Sequence, residues 1–153
     1  MITLSAATTA LILLDLQKGA FAPDFSDALK APVDRPLVKA PPGGFPEDWF
    51  ELADGLAEAS DLKVTKRQWG AFYGTDLDLR LRRRGVTTVV IGGVATNMAV
   101  ESTARAAHEH EHGYAVVLPE DAATTFSAEM HAFAFEHIFP HLGRVAKADE
   151  IEL

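Results

Sequence analysis

The sequence predicts an α/β domain with a largely parallel sheet, and three observations carry that reading. Short apolar runs at Ala10–Leu14, Val89–Ile91 and Tyr114–Leu118 have the look of buried strands. Stretches with helical spacing alternate with them, as crossovers between parallel strands require. Finally, Gly92 and Gly93 let the backbone turn tightly just before Thr96 and Asn97, either of which can cap a following helix. A strand that turns into a helix N-terminus points backbone N–H groups at one spot. That spot suits an anion or a developing oxyanion.

Composition narrows the class. With 153 residues, 48% of them hydrophobic, the chain suits one domain spanning 1–153. Its net charge of −8 argues against nucleic acid and against an anionic membrane as partners. There is no cysteine, hence no disulfide framework, no thiolate metal site and no cysteine nucleophile. Met1–Ala10 lacks a basic region, and Asp15 interrupts the first apolar run, so no signal peptide is expected. No run approaches the ~18 apolar residues of a membrane span. A cytoplasmic location is the expectation.

Taken in order, Ala10–Leu14 ends in Asp15-Leu-Gln17, at the strand end where open parallel sheets place ligands. A turn or capping carboxylate is the competing reading of Asp15, and Gln17 divides evenly between structure and function. Residues 18–50 are irregular, holding six of the eight prolines and the turn cluster Pro41-Pro42-Gly43-Gly44. Glu47–Ala59 has a helical rhythm in Phe50, Leu52 and Leu56. Leu62–Lys66 alternates as a short strand would.

An aromatic loop, 67–75, follows. Thr75 is placed to cap a helix whose inner face carries Leu77, Leu81 and Leu79, and which Gly85 ends. The arginines at 82–84 read as a solvated face near the helix C-terminus. After the central strand, a helix of small residues runs to about Gly113. Glu120 and Asp121 close the next strand, Ser127 opens a helix to about Phe139, and Arg144–Ala146 reads as a last edge strand.

Two constellations invite chemistry. Asp15 and Lys66 each fall at a strand's C-terminal end, close to the Gly93–Thr96 turn if the sheet forms. Such a pair can pass protons, with the lysine stabilising negative charge. His108-Glu109-His110-Glu111-His112 matches H-E-x-x-H, which on a helix puts His108 and His112 on one face. The match sits at a helix end beside Gly113, where solvated histidines favour the dipole, and no third ligand is evident. His131, His137 and His141 suit surface or partner contacts. No G-x-S-x-G elbow and no G-x-G-x-x-G fingerprint occurs, and Thr96 and Ser102 read as structural hydroxyls.

With those residues in view, the chain resembles the isochorismatase-like hydrolases of the cysteine hydrolase superfamily. The resemblance rests on Ala10–Gln17, on Val64-Thr-Lys66 through Phe72, Thr75 and Asp76, and on Gly93-Val-Ala-Thr-Asn through Arg105, with Asp121-Ala continuing it. It implies a three-layer α/β/α sandwich of Rossmann-like topology. It implies catalysis by an aspartate and a lysine at Asp15 and Lys66, with the nucleophilic cysteine's position at Ala99. It further implies a cis peptide at Val94–Ala95, and substrate contacts from Gln17, Phe21, Trp69, Phe72, Val94, Ala95, Thr96 and Asn97. No cofactor and no metal is expected; the partners would be a small-molecule substrate and further copies of the chain, as a dimer or larger.

The chain departs from the family in two ways. Ala99 removes thioester chemistry, leaving the mechanism of cysteine-less isochorismatases, in which the aspartate protonates an enol-ether carbon. Against the family pattern one β-α unit of ~35–40 residues is absent after the first strand, which implies either a sequence that skips a segment or a sheet that has lost a strand. The resulting readings are a cysteine-independent hydrolase and a catalytically inactive relative that binds a metabolite or protein partner through the same cleft.

Overall fold

Two strand pairs organise the chain, one small and one extended into a sheet. The computed structural model describes residues 1–18, 43–109 and 113–153. The strands β1 (Ile2–Thr3), β2 (Thr9–Leu14), β3 (Thr88–Val94), β4 (Ala115–Pro119), β5 (Ala123–Thr124), β6 (Arg144–Ala146) and β7 (Ile151–Glu152) are all short. The main sheet runs β2-β3-β4-β6, with β5 joining β3 beyond the end of β4. Every pairing in it is parallel. β1 pairs with β7, also in parallel. The predicted α/β fold with a parallel sheet is the fold observed.

Alternation along the strands separates the two faces. Ile12, Leu14, Val89, Ile91, Val116 and Leu118 share one core with Leu77 and Leu81, Val100, Ala104 and Ala107, and Phe135 and Phe139. The helices α1 (Leu77–Arg83), α2 (Glu101–Glu109) and α3 (Ala128–Phe133) supply or lead into those residues. Alternate residues Val90 and Val117 turn to the other face, where Leu4, Ile2 and Ile151 cover them. On β2 that face is bare: Leu11 and Leu13 are exposed.

The chain divides into two units, Met1–Asp15 with Leu62–Leu153, and Leu16–Asp61. The second unit is held by its own contacts. Gln17 bridges Leu52 in antiparallel fashion, Lys18 pairs with Glu51 at 3.0 Å and Asp48 at 3.4 Å, and Phe45 stacks near Trp49 and Phe50.

Several expectations are corrected. Leu62–Lys66 forms no strand, since a lone alternating segment has no ladder to join; among the described residues none pairs with it. Glu47–Ala59 forms turns, closed by Trp49 N–H to Pro46 O and Glu51 N–H to Asp48 O, and Gly55 takes a positive φ that no helix continues. Thr75 is not the cap residue of α1. Asp76 holds that position, while the Thr75 hydroxyl donates to Ala71 O and accepts from Leu77 N–H. Leu79 faces solvent. Arg82 is engaged as well, lying 3.9 Å from the Tyr114 ring centre and bonding Asp78.

Other elements lie where the sequence places them. Ser127 caps α3 by accepting Met130 N–H. The helix then loosens into a π-helical turn at Ala134–Ile138, and β6 is the predicted edge strand. No helix of the described residues is long and apolar enough to cross a membrane.

Candidate active site

The register of β2 against β3 builds the site. Leu14 lies opposite Gly93, so Asp15 emerges at the level of Val94, at the C-terminal ends of both strands. The two backbones approach closely: a Cβ on Gly93 would sit 2.2 Å from the Leu14 carbonyl oxygen. Gly93 also has φ +123°, a region side chains disfavour. This glycine is required by close approach and by conformation together.

Asp15 itself has φ 52°, the left-handed region that aspartate tolerates better than most residues. There the chain leaves the sheet abruptly and the carboxylate swings toward Lys66. Lys66 Nζ lies 2.6 Å from Asp15 Oδ2 and also donates to Gln68 O at 3.1 Å. The lysine side chain is 16% exposed and the aspartate 29%, so the pair is partly withdrawn from water yet reachable. A charge pair in that setting is stronger than on an open surface and can stabilise charge developing beside it.

Lys66 is held by the aromatic loop behind it. Ala71 N–H donates to the fully buried Thr103 hydroxyl at 3.0 Å, fastening the loop to α2, and Gly70 packs close to Ser102. Phe72 is buried in the core against Tyr114, whereas Trp69 and Tyr73 are exposed. Gln17 belongs to the other unit and bridges Leu52 there. Phe21 lies outside the described residues.

Beyond Gly93 the chain passes through a cis Val94–Ala95 peptide, as the resemblance implies. A π-helical turn, Thr96–Val100, leads into α2, and Ala95 takes the cap position. The Ala95 carbonyl accepts from Met98 N–H and Val100 N–H. Neither Thr96 nor Asn97 caps the helix through its side chain, contrary to expectation. The Thr96 hydroxyl bonds His131 Nδ1 at 2.9 Å; Asn97 accepts from Thr125 Oγ1 at 2.7 Å and donates to Met130 Sδ at 3.3 Å. Ala99 is 3% exposed on the same turn.

Sequence reasoning missed His131, Thr125 and Met130 as neighbours of this turn. One signal was present: His131 precedes the core residue Phe135 by four, so helical spacing turns it inward. The histidine cluster gives no metal centre within view. His110 and His112 lie outside the described residues, and no group of three or more candidate ligands occurs among the described ones. Asp121 is spoken for, its carboxylate accepting Ala148 N–H at 2.8 Å.

The comparisons with known proteins agree with this fold. The isochorismatase domain profile matches residues 32–150. The uncharacterized isochorismatase family protein YecD of Escherichia coli O157:H7 is 39% identical over 189 residues, covering 99% of this chain and 98% of that protein. The uncharacterized isochorismatase family protein YwoC of Bacillus subtilis (strain 168) is 47% identical over 128 residues, 83% of this chain and 66% of that one. Among solved structures, an isochorismatase family protein (BTH_II2229) from Burkholderia thailandensis matches with TM-score 0.78 and 36% identity, covering 97% of this chain and 95% of that one. The YecD match spans 189 positions against 153 residues here, so at least 36 of them have no counterpart in this chain. By profile, by relatives and by fold, this chain, which carries no cysteine, belongs to the isochorismatase family.

Proposed function

We propose that this chain is a cysteine-independent hydrolase of a small anionic or carbonyl-bearing metabolite. Asp15 is the general acid–base, Lys66 its electrostatic partner, and the Val94–Asn97 amides the site for the substrate's anionic group. The carrying observation is the 2.6 Å Lys66–Asp15 contact, set beside a turn that offers alanine where the family nucleophile would stand. Trp69 is assigned to substrate contact by resemblance, and a cytoplasmic homo-oligomer is the accompanying expectation.

Enol-ether hydrolysis suits these parts. The Asp15 carboxyl gives its proton to the terminal vinyl carbon, and Lys66 stabilises the carboxylate left behind. Water then adds to the oxygen-bearing carbon and returns a proton to Asp15. The hemiketal breaks its carbon–oxygen bond to release a 2-keto acid and an alcohol. No covalent enzyme intermediate is needed, which is why alanine at 99 is acceptable.

The test offers isochorismate to the purified protein and follows pyruvate by a coupled assay. Turnover that Asp15→Asn abolishes supports the proposal; turnover unchanged in that variant overturns the mechanism. A second reading, a binding protein without catalysis, draws on Ala99 and on the absent β-α unit. Saturable binding of the same compound without product would favour it.

A further inference from the structure

Two hydroxyl–imidazole atoms, Thr96 Oγ1 and His131 Nδ1, lie 2.9 Å apart beside the candidate site. A hydroxyl within hydrogen-bond reach of a base is the arrangement of an activated nucleophile. Burial forbids that role here, because Thr96 has no exposed surface and no substrate atom could reach its oxygen. The contact acts inward, on the turn that carries Thr96.

We infer that His131 is a positioning residue for the Val94–Asn97 turn, acting through the Thr96 hydroxyl. The ring is itself held. The imidazole lies 4.7 Å from the Phe135 ring, and the backbone N–H of His131 bonds Ser127 O in the first turn of α3. A ring packed on Phe135 and rooted in the helix backbone transmits the position of α3 to whatever it bonds.

The neighbouring residue of the turn is tied to the same segment. Thr125 Oγ1 donates to Asn97 Oδ1, and Asn97 Nδ2 faces Met130 Sδ. Both polar side chains of the turn therefore point to residues 125–131 and are committed there. Recognition of an anion falls to the backbone N–H groups, whose direction those side chains set. Donors aimed at charge that develops during reaction act more strongly on the transition state than on bound substrate. Displacing them lowers kcat more than it raises KM.

This inference rests on the proposed hydrolase reading, and its test separates the two. His131→Phe keeps an aromatic ring against Phe135 and loses the bond, whereas His131→Asn can place an amide near the Nδ1 position. Thr96→Val removes the partner at nearly constant volume. The readouts are thermal unfolding, the amide 1H–15N resonances of Ala95, Thr96 and Asn97, and pyruvate release from isochorismate.

His131→Phe is expected to fold, to displace those resonances and to lower kcat about tenfold, the loss expected of one hydrogen bond, with a smaller change in KM. His131→Asn recovers most of both, Thr96→Val matches His131→Phe, and the double variant is no worse than either single one. Unmoved resonances and kcat in folded His131→Phe, or no recovery in His131→Asn, overturn the inference. If His131→Phe does not fold, Thr96→Val decides by the same two readouts. If the parent protein releases no pyruvate, the hydrolase reading fails, and the resonances alone support or overturn the role of His131.

Discussion

Lys66 Nζ meets Asp15 Oδ2 at 2.6 Å although 51 positions of sequence separate the two residues. Asp15 arrives by leaving β2 in a left-handed conformation, and Lys66 by a segment that joins no ladder among the described residues. The aspartate side of the contact is set by strand register, the lysine side by the aromatic loop fastened to α2.

If Lys66 supplies the cation that Asp15 needs during turnover, Lys66→Gln lowers kcat by about 100-fold or more while leaving the protein folded, in line with removal of a preorganised charge partner. Asp15→Asn gives the same loss, and asparagine tolerates the φ of 52° as well as aspartate does. Both variants should melt within a few degrees of the parent, read by circular dichroism.

The Thr103 hydroxyl accepts the N–H of Ala71 inside the protein. Thr103→Val fills the same space but leaves that N–H without its acceptor. The expected cost is about 1–3 kcal/mol of stability, the price of a buried donor left unmade. A lowered urea midpoint with an unchanged m-value would show it. If the proposed hydrolysis occurs, turnover falls too, because Lys66 directly precedes the fastened loop.

Gly93→Ala should be far more damaging than an alanine elsewhere on β3. The new methyl meets Leu14 backbone atoms at 2.2–2.9 Å and the residue must hold φ +123°. The backbone conformation alone costs on the order of 1–3 kcal/mol, and the clash adds to it. Loss of soluble protein, or a strongly lowered melting temperature, is the expected outcome.

Tyr114 predicts a pH effect. Burial, followed by its bond to Asp78 Oδ1 at 2.5 Å, raises the phenol well above its ordinary value near 10. The folded state therefore holds the proton more tightly than the unfolded chain. That contribution is complete below about pH 10 and is lost as pH rises toward the folded value. Tyr114→Phe should be less stable than the parent at pH 7, with the difference narrowing above pH 10. Urea midpoints measured from pH 7 to 11 check the sign.

Much of this protein was legible in its sequence. The strands β2, β3 and β4 showed as apolar runs because burial on a sheet demands them, and Gly92-Gly93 marked the turn. Asp15 stood out because strand ends of a parallel sheet collect ligands, whereas Lys66 was read at the end of a strand that is not among the described elements. Local patterns misled where a partner was wanting. Leu62–Lys66 has the alternation of a strand but, among the described residues, no neighbour that makes one, and Glu47–Ala59 has helical spacing that turns and Gly55 interrupt.

What sequence alone determined, then, is the family, the parallel α/β architecture, the absent cysteine and the candidate charges Asp15 and Lys66. These follow from short-range spacing and residue chemistry. The tertiary structure decided that Thr96 is sealed inside and bonded to His131, that Asn97 is taken by Thr125 and Met130, and that Leu11 and Leu13 face outward. Each depends on which surfaces meet when separate elements pack. Register, close backbone approach and burial are properties of that packing, and no local run of residues encodes them.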